Sequence, residues 1–158
     1  MLSPPELGLG YIGAATSLTL VLPVDRYDYC FLVATAGEEP TAIFLDERYQ
    51  FQAFGCLGNT SYKGLLIPDV RIEVDETLIF DAAGRWAVPG MMVRRDDGLF
   101  ISTMDERGGG RNPLIAVQRG LSLSEQGMAA GFARWQVVIG EGIEKRVLKV
   151  IELNQPAN

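Results

Sequence analysis

Met91-Met92-Val93-Arg94-Arg95-Asp96-Asp97-Gly98-Leu99-Phe100-Ile101-Ser102-Thr103-Met104 reads as two apolar runs folded back about Asp96-Asp97-Gly98. Asp-Gly between such runs is among the strongest short-range signals of a β-hairpin. Working outward, two-residue alternation recurs from Thr16 to Leu153. Leu18, Leu20 and Leu22 share one side of an extended segment whose other side carries Ser17, Thr19 and Val21, so one buried face is expected. Pro23 ends it. The segment 27–35 is rich in aromatic and β-branched residues. Runs at 41–45 and 49–54 flank the polar reversal Asp46-Glu47-Arg48. Val70, Ile72 and Val74 alternate with Arg71, Glu73 and Asp75. Further runs at 77–80, 86–88 and 114–118 are expected strands, and 133–139 with 146–153 closes around Gly140-Glu141-Gly142. Residues 143–151 also fit a helical stripe, but their β-branched content favours a strand. One helix is expected over 123–131, where Ser122 and Glu125 fit a capping box that Gly127 and Gly131 weaken.

These patterns predict an all-β chain: an antiparallel β-sandwich or flattened β-barrel of about eight to eleven short strands, with at most one short helix near 123–131. The length of 158 residues suits a single domain spanning 1–158. Residues 1–13, with Pro4, Pro5 and three glycines, are expected to form an irregular lead.

Composition narrows the function. The chain has no histidine, which removes the commonest general base and transition-metal ligand, and with it any Ser-His-Asp or Cys-His site. A net charge of −6 argues against nucleic acid and against an anionic membrane surface. The acidity is concentrated in the first half, whereas residues 85–119 are arginine-rich. Residues 7–24 carry no charge, yet their glycines, Pro23 and polar residues do not suit a membrane-spanning helix, and no basic residue precedes them as in a signal peptide. Cys30 and Cys56 sit among apolar residues and read as buried thiols of a cytoplasmic protein. Asn59-Thr60-Ser61 matches a glycosylation sequon, read as chance in that compartment.

Four groups of residues are candidates for chemistry. Gly8-Leu9-Gly10-Tyr11-Ile12-Gly13 matches the dinucleotide fingerprint, but it lacks the preceding strand and following helix that place pyrophosphate at a helix N-terminus. It is read as coincidental, and no cofactor is expected. Arg107-Gly108-Gly109-Gly110-Arg111 is a glycine-rich loop whose amides and guanidinium groups suit a small anionic ligand, with Arg94 and Trp86 as further ligand-binding candidates. The alternative is a connector with its arginines paired to Asp105 and Glu106. Glu73 and Asp75 project from one strand face and suit an oxygen-bound metal or acid/base work; the alternative is a solvated acidic face balanced by Arg71. Tyr27, Tyr29, Tyr49, Trp86 and Trp135 suit stacking on flat ligands, or a sheet core.

The expected function is a soluble, non-catalytic binding or interaction module. Its expected partners are another copy of the chain or another protein, and a small anionic ligand. The first alternative is a small β-barrel enzyme working with carboxylate, tyrosine and arginine on an anionic or sugar-like molecule. The second is a structural subunit of a protein assembly.

Overall fold

The structure is a computed structural model describing residues 8–24, 29–37, 39–46, 49–77, 79–81, 88–104, 113–119 and 130–153. Among them the fold is all-β, with antiparallel pairing throughout. Among the described residues fourteen strands are present, more than the eight to eleven expected, because several pairing segments are three or four residues long. The backbone divides into two compact units, Met1–Val70 and Arg71–Asn158.

In the first unit, β1 (Gly8–Tyr11), β2 (Thr19–Pro23), β3 (Phe31–Ala34), β4 (Thr41–Phe44), β5 (Ala53–Gly55) and β6 (Lys63–Ile67) form one sheet in the order β1-β6-β2-β3-β4-β5. β2 to β5 is a meander, and β6 returns to pair with β2 on one side and β1 on the other. The irregular lead expected over 1–13 is therefore corrected at residues 8–13. Gly8–Tyr11 is a strand and Ile12–Ala14 a 3-10 turn, because β6 supplies partners for peptide groups that local sequence could not.

Cross-strand register puts Val21, Phe31, Val33, Ala42, Phe44, Phe54 and Leu66 on one face. Tyr29, Tyr49, Tyr62, Ile12 and Cys56 join them in one core. Its rings meet mostly edge-on or tilted, with centroids 4.6 Å apart for Phe31–Phe44 and 5.7 Å for Tyr29–Tyr49. Each such pair adds about 0.5–1.5 kcal/mol beyond the area it buries. Leu20, Leu32, Ile43 and Ile67, on the opposite face, are buried too. The single buried face expected for β2 is thus replaced by burial of Thr19, Leu20 and Val21, while Leu22 is exposed. The second strand of the early hairpin starts at Ala53, after a reversal that holds Phe51 at φ 66°.

The 3-10 turn is tied to the segment after β5. Ile12 N–H donates to Tyr62 O at 3.0 Å and Gly13 N–H to Asn59 O at 3.3 Å. A β-carbon on Gly13 would lie 2.4 Å from Asn59 N and 2.5 Å from Cys56 O, both backbone atoms. Gly13 is required by this close approach of two backbone segments.

The second unit holds β7 (Arg71–Val74), β8 (Ile79–Asp81), β9 (Met92–Arg95), β10 (Gly98–Ser102), β11 (Leu114–Arg119), β12 (Ala130–Phe132), β13 (Arg134–Ile139) and β14 (Arg146–Glu152). They form a sheet in the order β11-β10-β9-β12-β8 and another in the order β14-β13-β7. The opening hairpin is β9–β10, Arg95 opposite Gly98. Gly98 is demanded by its other neighbour: a β-carbon there would lie 2.2 Å from Gln118 O on β11. Residues 143–151 resolve into a 3-10 turn, Gly142–Glu144, followed by β14. The helix expected over 123–131 is corrected at Ala130 and Gly131, which pair with β8 and β9; residues 120–129 lie outside the described residues.

β7 and β8 pair respectively with β13 and β12, so a two-stranded ribbon passes from one sheet to the other. It turns at Asp75–Thr77 and Ala133. Asp75 N–H donates to Arg134 O and Leu153 N–H to Ala133 O, both at 2.9 Å. Trp135, 1% exposed, donates its indole N–H to Gly90 O at 2.7 Å.

Gly13→Ala is expected to destabilise the protein by about 1–3 kcal/mol, the range for overpacking. Gly8→Ala, where a β-carbon meets nothing within 4 Å, should stay within about 0.5 kcal/mol. Urea denaturation followed by circular dichroism compares the two.

Candidate functional site

The outer face of the β14-β13-β7 sheet carries the acidic pair read from the sequence. Register aligns Glu73 with Gln136 and Val150 across the three strands, and Asp75 follows at the ribbon's turn beside Arg134. Glu73, Val74, Asp75, Arg134, Trp135 and Gln136 line an open groove of about 310 Å³.

Each carboxylate is already engaged. Glu73 Oε1 accepts from Lys145 Nζ and from Gln136 Nε2, both at 3.0 Å. Asp75 Oδ1 accepts from the Thr77 hydroxyl at 2.6 Å and the Thr77 N–H at 3.0 Å, while Oδ2 lies 3.9 Å from Arg134 Nη1. The Lys145 and Gln136 hydrogen bonds hold the Glu73 carboxyl below its ordinary range, and the two Thr77 bonds do the same for Asp75. Both groups are thereby kept as carboxylates, the opposite of what a general acid requires. Arg71, expected to balance this face, donates to Gly140 O at 2.7 Å and helps electrostatically to keep Glu73 ionised. Among the described residues no three His, Cys, Asp or Glu side chains are grouped to hold a metal ion.

Arg94 is occupied as well. It donates to Glu76 Oε1 at 2.7 Å, and its guanidinium lies 4.7 Å from the Phe132 ring centroid. Arg107, Gly108, Gly109, Gly110 and Arg111 lie outside the described residues, as do Trp86 and Tyr27. Tyr29 and Trp135 are core residues, and Tyr49 packs half-buried against Tyr29 and Phe44. Cys30 and Cys56 are buried thiols without a disulfide; burial pushes the Cys56 thiol up. No described helix is long and apolar enough to cross a membrane.

The first unit presents a feature that residue-by-residue reading missed. β1 ends its sheet, and its outer edge is unpaired among the described residues. Leu9, Leu65 and Leu22 form a row across β1, β6 and β2, Leu9 being 64% exposed, with Tyr11 and Val24 exposed nearby. On the other face, Gly8, Ala14, Ala15, Thr16, Thr19, Leu66 and Pro68 border a shallow groove of about 190 Å³ that also touches Leu9. The signal was the period-two pattern Gly8-Leu9-Gly10-Tyr11 inside an uncharged segment. The dinucleotide fingerprint drew attention to the same glycines for another reason.

Residues 9–158 match a protein family described as "Uncharacterised protein y4lG". A protein of Sinorhizobium fredii (strain NBRC 101917 / NGR234), described as "Uncharacterized protein y4lG", is 40% identical over 148 residues, covering 94% of this chain and 91% of that protein. No solved structure matches the chain.

Depressed carboxyl pKa values stabilise the fold above the groups' ordinary values of 4.5 and 3.8, and that stabilisation is lost as pH falls through the lower folded values. Glu73→Gln should therefore melt slightly below the parent protein at about pH 7, and the gap should close as pH falls below 4.5. Thermal melts of both proteins across this range provide the measurement.

Proposed function

The chain belongs to the y4lG family, and from there we propose that it is a non-catalytic interaction module that binds a protein segment along the outer edge of β1. The observation that carries this reading is an edge strand without charge, bordered by an exposed apolar row on one face and a shallow apolar groove on the other. A strand edge offers main-chain hydrogen bonds to an extended partner, and a groove beside it selects the partner's alternate side chains. Native edges are ordinarily blunted by charge, proline or a covering element, so an apolar open one suits docking.

The enzyme alternative draws less support. A carboxylate, tyrosine and arginine site needs a carboxyl whose proton is retained near neutrality. The described candidates, Glu73 and Asp75, are shifted the other way by Lys145, Gln136, Thr77 and Arg134. A structural subunit would present a broad flat apolar patch, whereas here a groove accompanies the edge. Two buried thiols support the cytoplasmic placement, where such groups stay reduced.

Leu9→Lys tests the proposal, because Leu9 is exposed and its replacement leaves the core intact. Affinity-tagged parent and variant proteins are compared for what they retain, untagged copies of the same chain included. The variant should lose a protein the parent holds while melting within about 2 °C of it. Identical retention by both would overturn the edge as the binding site.

A further inference from the structure

We propose that the segment taken up by β1 is β1 of a second copy of this chain, running antiparallel about a twofold axis at Gly10. This rests on the edge reading above and names its partner.

Backbone alternation selects the geometry. Ile12 N–H donates to Tyr62 O, in step with a register that sets Gly10 opposite Gly64 and Gly8 opposite Leu66. In an antiparallel ladder the hydrogen-bonded positions alternate, so Gly8 and Gly10 face β6 while the peptide groups of Leu9 and Tyr11 face outward. Two such edges brought together about Gly10 set Leu9 opposite the partner's Tyr11, twice. Four N–H···O bonds result, and the two Gly10 residues meet at the close-approach position, with Cα atoms about 4.5 Å apart. The Leu22–Leu65–Leu9 row then runs across the seam onto Tyr11 of the second copy, beyond which Lys63 and Val24 of that copy follow. A twofold contact is self-complementary and closes at two copies.

Charge selects the occupant. Two copies of a chain at −6 repel each other, and the seam must run where charge is absent. Gly8 to Val24 contains no charged residue. The other sheet edges are marked differently. β14 carries Arg146, Lys149 and Glu152, β7 carries Arg71 and Glu73, β11 ends at Arg119 and β8 at Asp81. At β5 the Glu39 carboxylate lies 3.2 Å from where a β-carbon would stand on Gly55. The strand that matches β1 in length, neutrality and outward bonding pattern is β1 itself.

Light scattering from about 5 to about 500 μM is the first measurement, since a seam this narrow makes a weak dimer. The mass should rise towards twice the monomer's, and Leu9→Lys, which sets two ammonium groups near the axis, should move the midpoint up at least about tenfold. Gly10→Cys provides the second. Its β-carbon meets the movable tip of Leu66 at 2.8 Å, so it is accommodated. With oxidised glutathione it should cross-link faster than Leu57→Cys, an exposed control. Should Gly10→Cys misfold, a mixture of Leu9→Cys and Tyr11→Cys proteins gives the same reading. A monomer throughout the range without selective cross-linking overturns the proposal. In that event, if Leu9→Lys still strips a retained foreign protein, the edge reading stands with another partner; if it changes nothing, both fall.

Discussion

The second unit depends on a corner. A ribbon of two strands leaves one sheet as β7 and β13 and enters another as β8 and β12, and at the bend its peptide groups risk losing their ladder partners. Buried backbone polar groups must be paired somewhere. Here Asp75 N–H finds Arg134 O, Leu153 N–H finds Ala133 O, and the Asp75 carboxylate closes the turn onto Thr77. Trp135, just past the corner, fixes the direction of β13 through its bond to Gly90 O. Acidic residues that suggest chemistry in the sequence are explained by this architecture: Asp75 shapes the bend, and Glu73 joins β7 to β13 and to the 3-10 turn ahead of β14 through Gln136 and Lys145.

Local hairpins were legible because their signals lie within a few residues of one another. β9–β10 and β13–β14 follow from alternation on either side of a turn, and the shared face of Glu73 and Asp75 follows from period two. What decided the rest was distant. β1 becomes a strand through β6, more than fifty positions away, and the period-two pattern of Gly-Leu-Gly-Tyr, half of it glycine, is too weak to announce a strand by itself. Lys145 reaches Glu73 across 72 positions and Gln136 across 63. β12 gained its place from β8 and β9, where a capping box at Ser122 and Glu125 suggested helix. The leucines of β2 announced one buried face; the aromatic residues that bury the other come from β3, β4 and the segments around β5.

Sheet edges connect architecture to the functional reading. Among the described residues each sheet ends in two strands with half their peptide groups turned outward, and most of these ends bear charged side chains. β1 differs in kind. Gly10 faces the Leu66 side chain, while Leu9 and Tyr11 hold the solvent-facing side. Of the three glycines that look like a phosphate-binding signature, Gly13 is explained by backbone proximity, and the segment around them leaves an uncharged ribbon at one end of the first sheet.

The thiol of Cys56 is sealed beneath the 3-10 turn, fully buried and with its ionisation disfavoured, 4.0 Å from Ile12 O. Thiolates attack alkylating reagents and displace their leaving group, so this sulfur reacts when the turn lifts away and water reaches it. The rate of its modification is therefore a clock for breathing of the first sheet at its β1 end. Because that clock sits directly behind the proposed seam, anything that clasps the outer margin should slow it without touching the sulfur itself.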